Sequence, residues 1–252
     1  GQARYKGLSA RDISEIASAR SSLCYVVLGA ICKQILHTYG VFTYSYVTEI
    51  GGICAEMQYV VGETERQDYF AKMHCADPNA TEQMCIAADN ARAQGDSLGG
   101  RVCVVCSGVP MGVGDIVPYA KRLDARIAAN LVGIPSVKGV EFGLGESYAE
   151  LSGKQSVDKL YVTDEGNIAY KTNNCGGIVG GVSNGKDIVC TLTVKPVPTV
   201  KGVQTVDSVT HELTEQHYER ADTCVVPQVG VIAENILAYV LADVLCEQGL
   251  IG

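Results

Sequence analysis

The sequence has 252 residues, of which 47% are hydrophobic and 19% charged, and its 28 acidic and 20 basic residues give a formal net charge of −8. A chain of this length and low charge can bury a large core, which excludes an intrinsically disordered protein. The acidic balance argues against a nucleic-acid partner. No stretch approaches the roughly 18 consecutive apolar residues of a membrane span, so no membrane partner is expected.

The eleven cysteines are scattered along the chain, which does not fit a regularly spaced disulfide scaffold. The sequence has one C-x-x-C motif, Cys103 to Cys106, and lacks the second pair that a four-thiolate zinc site requires. The four histidines form no spaced metal motif. We therefore predict reduced, mostly buried cysteines in a cytoplasmic protein without a metal site.

The first half of the chain alternates predicted helices with strand-like runs. Residues 12–37 are predicted to form a helix whose apolar positions, Leu23, Val26, Val27, Ala30, Ile31 and Ile35, share one face. A strand over 40–50 follows and ends at a glycine pair. The second helix begins near residue 80, with Thr81 as a possible cap, and runs to about residue 94. Residues 101–109 alternate like a strand.

The second half is richer in strands. A helix is predicted over 119–131, and strands over 137–142, 160–163, 167–171 and 188–195. In the last strand Ile188, Cys190, Leu192 and Val194 point one way. Residues 231–245 form a helix with an apolar stripe broad enough for a central position. Paired strands with single long helices favour an α+β class with antiparallel sheets, and residues 1–252 are predicted to form one domain.

The segment from Thr172 to Lys186 contains two glycine pairs, Gly176–Gly177 and Gly180–Gly181. Part of it imitates a phosphate-binding loop, but Asp187 replaces the required Ser or Thr and a strand follows instead of a helix. We reject that interpretation. Such glycine pairs either form tight turns between strands or expose backbone N–H groups to a ligand.

Two further segments carry side chains suited to anions. Lys195-Pro196-Val197-Pro198-Thr199 places an ammonium and a hydroxyl on a proline-stiffened loop. The run from Arg220 through Asp222 to Pro227 leads into the last helix, and it can place a guanidinium and a carboxylate on one wall of a pocket. Taken singly, each of these side chains has an ordinary alternative as a solvent-facing charge or a weak surface ion pair.

Together and in this order, these segments resemble chorismate synthases. The family pattern T-N-x-x-G-G-x-x-G-G-x-S-N-G, then K-P-x-x-T, then R-x-D-x-C-x-V-P is matched by the residues quoted above. The resemblance extends from about Ser18 to Leu245. Further matching segments are Ser18–Arg20, Gly95–Gly100, Arg122–Arg126 and Ile134–Glu141.

The resemblance implies a lyase of the shikimate pathway that eliminates phosphate from 5-enolpyruvylshikimate 3-phosphate to give chorismate, with reduced FMN as cofactor. It also implies a fold in which antiparallel sheets pack around central helices as a β-α-β sandwich, and a homotetramer. Fixed cations suit a phosphate leaving group, and a reduced flavin requires that water be kept out.

Carried over motif by motif, the resemblance assigns Lys195 and Thr199 to the FMN phosphate, and Ser18, Ala19 and Gly181 to the flavin. Arg20 and Arg220 would bind anionic groups of the substrate. Asp222, with Arg220, would belong to the catalytic group and take part in proton removal.

The amino end departs from the family. The G-E-S-H-G segment and the Arg-rich stretch that follows it have no counterpart here, so we expect the fold to be incomplete at this end. Gln2 stands where a second family histidine is expected, and S-A-R-E-T reads Ser18-Ala19-Arg20-Ser21-Ser22. Two hypotheses follow: a working enzyme whose amino-terminal part lies outside this sequence, or a non-catalytic relative that binds flavin or phosphate or completes an assembly.

Overall fold

The computed structural model describes residues 1, 3–56, 68, 70–207, 210–216, 218 and 221–252. The helices are α1 (Ala10–Ile16), α2 (Ser22–Thr38), α3 (Phe70–Met73), α4 (Pro78–Gln94), α5 (Leu123–Val132), α6 (Gly153–Ser156) and α7 (Val226–Glu247). The strands are β1 (Phe42–Ile50), β2 (Ile53–Cys54), β3 (Gly100–Ser107), β4 (Val137–Phe142), β5 (Leu160–Val162), β6 (Ile168–Tyr170), β7 (Ile178–Val179), β8 (Val182–Ser183), β9 (Ile188–Val194), β10 (Gln204–Val206) and β11 (Leu213–Glu215).

The main sheet has five strands in the order β2-β1-β3-β9-β4, and each neighbouring pair is antiparallel. Strand β9 lies between β3 and β4, with Cys190 opposite Val104 on one side and Phe142 on the other. Its side chains alternate as predicted, because Ile188, Cys190, Leu192 and Val194 are all buried. The predicted α+β class with antiparallel sheets is confirmed.

Helix α7 is the central helix of the core. It packs against strands β1 and β3 of the sheet and against helices α2 and α5. The predicted stripe consists of Ile236, Leu237, Val240, Leu241, Val244 and Leu245. All six are buried, and the three leucines are at most 1% exposed. The predicted central position of this helix is therefore confirmed.

The first predicted helix is not continuous, so this prediction is wrong in one respect. The chain breaks between α1 and α2 with a 3₁₀ turn over Ala19–Ser21, where the Ser18 hydroxyl accepts the Arg20 N–H. The predicted apolar face is exposed, with Leu23 at 67% and Ile31 at 53%.

The buried face of α2 consists of Ser22, Gly29, Cys32 and Leu36. A Cβ at Gly29 would lie 2.4 Å from both Cβ and the backbone oxygen of Asn235 in α7. Helix α2 therefore turns its Gly29 face toward α7, because only the smallest residue allows the two helices to approach this closely. The opposite face of α2 is more apolar but stays exposed.

Helix α4 begins at Pro78 and not at the predicted position near residue 80. The Asp77 carboxylate caps it by accepting the N–H groups of Asn79 and Ala80. Proline suits the first helical position, where its missing N–H costs nothing. Thr81 lies inside the helix and is only 1% exposed, so the suggestion that it caps the helix was wrong.

The Gly-rich segment forms a small hairpin of β7 and β8. Gly180 and Gly181 are its two turn residues and have φ values of +64° and +96°. Two-residue hairpin turns with two positive φ values strongly favour glycine. The interpretation of this glycine pair as a tight turn is therefore confirmed.

Two helical stretches, Ala10–Thr38 and Val226–Glu247, are long and apolar enough to cross a membrane by length and composition. Helix α7, which forms the second stretch, is largely buried in the core, as core helices of water-soluble domains also are. All eleven cysteines are free thiols, and within the described ranges no group of three potential ligands could hold a metal ion.

Candidate functional site

The segment Gly95–Gly100 brings two other motif segments together. The Ser97 hydroxyl donates to the backbone oxygen of Val197 at 2.6 Å, which fixes the Lys195–Thr199 loop. On its other side, the Leu98 N–H donates to the backbone oxygen of Thr223 at 2.8 Å. These three segments are far apart in the sequence, and two hydrogen bonds join them at one end of the sheet.

The glycines of this segment permit close backbone contacts. A Cβ at Gly99 would lie 2.5 Å from the backbone oxygen of Val194, and one at Gly100 would lie 2.0 Å from that of Glu49. Any other residue at either position would push β3 away from its neighbours or displace the loop that follows β9. The pair is therefore required by the packing of this end of the sheet.

Two adjoining cavities of about 460 and 410 Å³ open at the junction of these segments. Arg92, Asp222 and Thr223 line both of them. The larger cavity is also lined by Asp96, Thr199, Tyr218 and Ala221. His74 and Lys72 belong to the lining of the smaller cavity, together with Cys224 and Gln228.

The cavity walls carry both signs of charge. Arg92 and Lys72 are the cations, and Asp96 and Asp222 are the carboxylates. The Arg92 guanidinium also contacts Asp89 at 3.1 Å, although both side chains are about 70% exposed. An exposed pair of this kind is weak and leaves the guanidinium able to bind an anion. Among the described lining residues the two cations therefore balance the two carboxylates.

Thr199 and Asp222 are the sequence-predicted site residues that the structure brings together. Within the described part of the chain, the lining of these two cavities does not include Lys195, Gly181 or the segment Ser18–Arg20. Arg220 and Gln2 lie outside the described residues. The roles predicted for all of these residues stay predictions.

Lys195 and Ser18 lie toward the same end of the sheet. The Lys195 N–H donates to the backbone oxygen of Ser136 at 2.9 Å. The preceding residue, Pro135, lines a small cavity together with Ser22, which is four residues after Ser18. Arg20 itself is 83% exposed and contacts Glu15 at 3.3 Å.

Gly181 lies at the opposite end of β9. Its backbone oxygen accepts the N–H of Leu123 at the start of α5. Seven extended residues, Ile188–Val194, separate this end of the strand from the Lys195–Thr199 loop, a span of about 23 Å. Within one chain the structure therefore does not bring Gly181 to Thr199 and Asp222.

Asp158 holds the start of the Gly-rich segment. Its carboxylate accepts the Thr172 hydroxyl at 2.5 Å and the N–H groups of Asn174 and Cys175 at 2.6 and 2.9 Å. Burial alone would raise the pKa of this carboxyl, but the three hydrogen bonds outweigh burial and lower the pKa below its usual value. Asp158 therefore stabilises the loop as an ionised group.

His74 belongs to a polar network that the sequence did not reveal. Its Nε2 lies 2.9 Å from the Ser45 hydroxyl, and that hydroxyl lies 2.8 Å from Oε2 of Glu234. The other oxygen of Glu234 contacts the Lys33 ammonium at 2.5 Å. No sequence signal joins these four positions, because they lie on separate elements far apart in the chain.

Arg92 is the second site residue that sequence reasoning missed. It lies in the last turn of α4, three positions before Gly95, where the matched segment begins. This position next to a recognised motif is the signal that could have identified it.

The fold and this site are those of an α+β protein with a pocket suited to an anionic ligand, and comparison with known proteins identifies its family. The family model for chorismate synthase matches residues 1–246. The chain belongs to the chorismate synthase family.

The similar relatives agree with this assignment. A chorismate synthase of Caldicellulosiruptor bescii is 38% identical over 98% of this chain and 66% of its own length. One of Lysinibacillus sphaericus is 38% identical over 98% of this chain and 64% of its own length. This chain thus spans just under two thirds of these relatives. None of these relatives supports the non-catalytic alternative.

A solved structure described as "Crystal Structure of Chorismate Synthase" superposes with a TM-score of 0.80 at 30% identity. The superposition covers 98% of this chain and 69% of the solved chain. The likeness therefore extends over the whole described fold.

Proposed function

We propose that this protein acts as a chorismate synthase, a lyase that eliminates phosphate from 5-enolpyruvylshikimate 3-phosphate with reduced FMN as cofactor. The observation that carries the proposal is the junction of three family motifs, Gly95–Gly100, Lys195–Thr199 and the segment of Asp222, around adjoining cavities. Family membership supports the assigned reaction, and the junction of the three motifs supports the assigned location of the active site.

The residues present fit a phosphorylated flavin. The larger cavity offers the hydroxyls of Thr199 and Tyr218 and the guanidinium of Arg92, which are donors for anionic oxygens. Its volume of about 460 Å³ lies within the range of ordinary cofactor and ligand pockets. Thr199 and Lys195 would hold the FMN phosphate, and Ser18 and Ala19 the rest of the flavin. Gly181 lies at the far end of β9 within one chain, so it would reach this flavin only from another copy of the chain in the proposed homotetramer.

Reduced FMN, held by these residues, would supply electron density for the elimination. The protein itself would bind the anionic cofactor and substrate, exclude water from the site and accept the proton that the substrate loses. Arg20 and Arg220 are proposed to bind the substrate's anionic groups, where fixed cations stabilise the departing phosphate. Asp222 is proposed to take part in removing the substrate proton.

We further propose that residues 1–252 form a single domain and that the protein works in the cytoplasm as a homotetramer, as the family resemblance implies. Its expected partner is therefore a small phosphorylated anion together with copies of the same chain.

The decisive experiment uses the purified product of the complete gene under anaerobic conditions with reduced FMN and 5-enolpyruvylshikimate 3-phosphate. We expect release of inorganic phosphate together with formation of chorismate. Absence of turnover by a folded protein that binds FMN would instead favour a non-catalytic role and overturn the proposed reaction.

Matched variants test the site. Asp222→Asn is expected to lower kcat by about 10²–10⁴-fold, since it removes a group that transfers a proton. Asp164→Asn is the control, because Asp164 lies exposed in the turn between β5 and β6. If Asp222→Asn and Asp164→Asn were equally active, the proposed role of Asp222 in proton removal would be wrong.

A further inference from the structure

The hairpin of β10 and β11 brings a lysine to the edge of the larger cavity. The Gln216 N–H donates to the backbone oxygen of Val203 at 2.8 Å, which continues the antiparallel register of the hairpin beyond its last paired residues. The same register puts Lys201 opposite Tyr218. Because residues directly opposite each other in an antiparallel pair interact through their side chains, the hairpin itself sets this contact.

Contacts at its backbone, its stem and its ammonium hold Lys201 in place. The Lys201 N–H donates to the backbone oxygen of Gly95 at 2.9 Å, and a Cβ at Gly95 would lie 2.7 Å from Cγ of Lys201. The ammonium lies 4.9 Å from the centroid of the Tyr218 ring. Gly95 follows α4 with a φ of +71°, so glycine suits the left-handed conformation there and also leaves room for the lysine stem.

The Lys201 ammonium is positioned but not neutralised. The attraction between an ammonium and an exposed aromatic ring is weak and leaves the charge in place. Among the described residues, no carboxylate forms an ion pair with Lys201. A lysine ammonium is a compact charge on a flexible stem, and such a group commonly binds phosphate. Lys201 is therefore available to an anionic ligand.

The larger cavity requires a further cation if it is to bind a doubly charged phosphate. Among the described residues that line it, Arg92 is the one cation, and Asp96 and Asp222 are carboxylates. These two carboxylates would repel an anion that only Arg92 attracts. Lys201 lies over the ring of Tyr218, which lines the cavity, so it supplies a second positive charge at the cavity edge.

We propose that Lys201 is a phosphate-binding residue, whose ammonium acts with the Arg92 guanidinium and the hydroxyls of Thr199 and Tyr218 to bind a phosphate monoester in the larger cavity. The inference rests on the proposed function, because that function supplies two such ligands, the flavin with its phosphate and the phosphorylated substrate. Both share one chemistry, a phosphate group whose oxygens accept charge-assisted hydrogen bonds. The hairpin of β10 and β11 then serves the site by holding Lys201 at its edge.

Binding of FMN and of riboflavin to the purified product of the complete gene tests the inference, because riboflavin is FMN without its phosphate. We expect Lys201→Met to raise the Kd of FMN by about ten-fold, the effect of losing one charge-assisted hydrogen bond, and to leave the Kd of riboflavin unchanged. Lys201→Arg keeps the positive charge and should lose less affinity for FMN than Lys201→Met.

Lys171→Met is the matched control. The Lys171 ammonium lies 6.0 Å from the centroid of the Tyr161 ring, so it has the same kind of contact in the hairpin of β5 and β6. Neither residue is among the described lining residues of the two site cavities. An equal loss of FMN affinity in Lys171→Met and Lys201→Met would reflect only the net charge of the protein and would overturn the inference.

A second pair of ligands separates the two sources of phosphate. The substrate and the same molecule without its phosphate are titrated into the same variants. A loss of affinity confined to FMN assigns Lys201 to the cofactor phosphate, and a loss confined to the phosphorylated substrate assigns it to the substrate. Unchanged Kd values of Lys201→Met for both phosphorylated ligands overturn the inference, and so does an equal loss for each phosphorylated ligand and its counterpart without phosphate.

NMR of the wild-type protein with carbon-13-methylated lysines decides the inference if Lys201→Met does not fold. The Lys201 signal, identified by its loss in Lys201→Arg, should shift when FMN or the phosphorylated substrate is added and should not shift with riboflavin. A Lys201 signal that neither phosphorylated ligand moves overturns the inference.

Turnover keeps the two proposals apart. An inactive wild-type protein whose preference for FMN over riboflavin depends on Lys201 overturns the proposed function alone. An active wild-type protein whose phosphorylated ligands bind equally well to Lys201→Met overturns this inference alone. A folded wild-type protein that binds neither phosphorylated ligand overturns both.

Discussion

At the scale of single residues, the Gly-rich segment depends on one carboxylate, which is not among the described lining residues of the two site cavities. Asp158 is 9% exposed and accepts three hydrogen bonds from Thr172, Asn174 and Cys175. Removing an acceptor oxygen of Asp158 would leave buried N–H and O–H donors without a partner. The free-energy cost of an unsatisfied buried donor exceeds the net stabilisation that its hydrogen bond provides. Asp158 therefore stabilises a motif that a pattern search attributes to ligand binding.

Asp158→Asn is expected to lower the free energy of unfolding by about 1–3 kcal/mol at pH 7, because an amide nitrogen would face backbone N–H groups. The measurement is urea unfolding of the variant and wild type, with Asp164→Asn, an exposed turn substitution, as the control. Equal stability of Asp158→Asn and wild type would show that the three hydrogen bonds contribute nothing.

The same carboxylate makes stability depend on pH. The pKa of Asp158 is lowered in the folded state, so the unfolded chain binds a proton first as pH falls. Its contribution is present above the unfolded pKa of about 3.9 and is lost as pH falls through the folded value. The stability difference between wild type and Asp158→Asn should shrink below about pH 4, and a difference that stays constant to pH 3 would contradict this assignment.

At the scale of elements, the contact between α2 and α7 decides how the helical layer sits on the sheet. Gly29 packs directly against Asn235, and a Cβ added to it would lie 2.4 Å from the Asn235 backbone oxygen. The Asn235 side chain donates to the backbone oxygen of Val231 at 2.8 Å and cannot move away without losing that bond. The helix pair therefore has little room to adapt at this position.

Gly29→Ala is expected to destabilise the fold by about 1–3 kcal/mol, although alanine favours helices, because its Cβ overlaps the backbone of α7. Gly153→Ala in α6 is the matched control, since a Cβ there meets nothing within 4 Å. Thermal unfolding of both variants checks the prediction. A Gly29→Ala variant as stable as the control would mean that the helices can separate at no cost.

At the scale of the whole molecule, the core is a continuous apolar layer between the sheet and the helices. It encloses Cys106 and Cys190, which are completely buried. Cys103 alternates with Cys106 along β3, so it lies on the other face of the strand, where it is 5% exposed. Burial raises the pKa of all three thiols, so little reactive thiolate exists at neutral pH.

We expect Cys103, Cys106 and Cys190 to resist iodoacetamide in the native protein and to react after unfolding. Peptide mass spectrometry after timed labelling measures each site separately. The exposed Cys54 and Cys246 are internal standards for reagent access. Labelling of Cys190 at the rate of these standards in native protein would show that the core opens far more often than its packing implies.

The residues of the candidate site were recoverable from the sequence only where a motif contained them. Thr199 and Asp222 lie in matched motifs, and both line the cavities. His74 lines the smaller cavity but lies in no matched motif. Its contact with Ser45 joins residues 29 positions apart, and Ser45 in turn contacts Glu234. A spacing rule finds partners within one element and cannot find partners that only chain folding brings together.

The sequence by itself determined the α+β class, the alternating strand Ile188–Val194, the buried stripe of α7 and the family. These depend on local apolar periods and collinear motifs, which are written directly in the residue order. The tertiary structure decided which face of α2 is buried, and it joined Gly95–Gly100 to the segments of Thr199 and Asp222. The physical reason is that a periodic pattern indicates only which residues tend to be buried. Close packing and long-range hydrogen bonds, which form when the chain folds, determine which residues they contact.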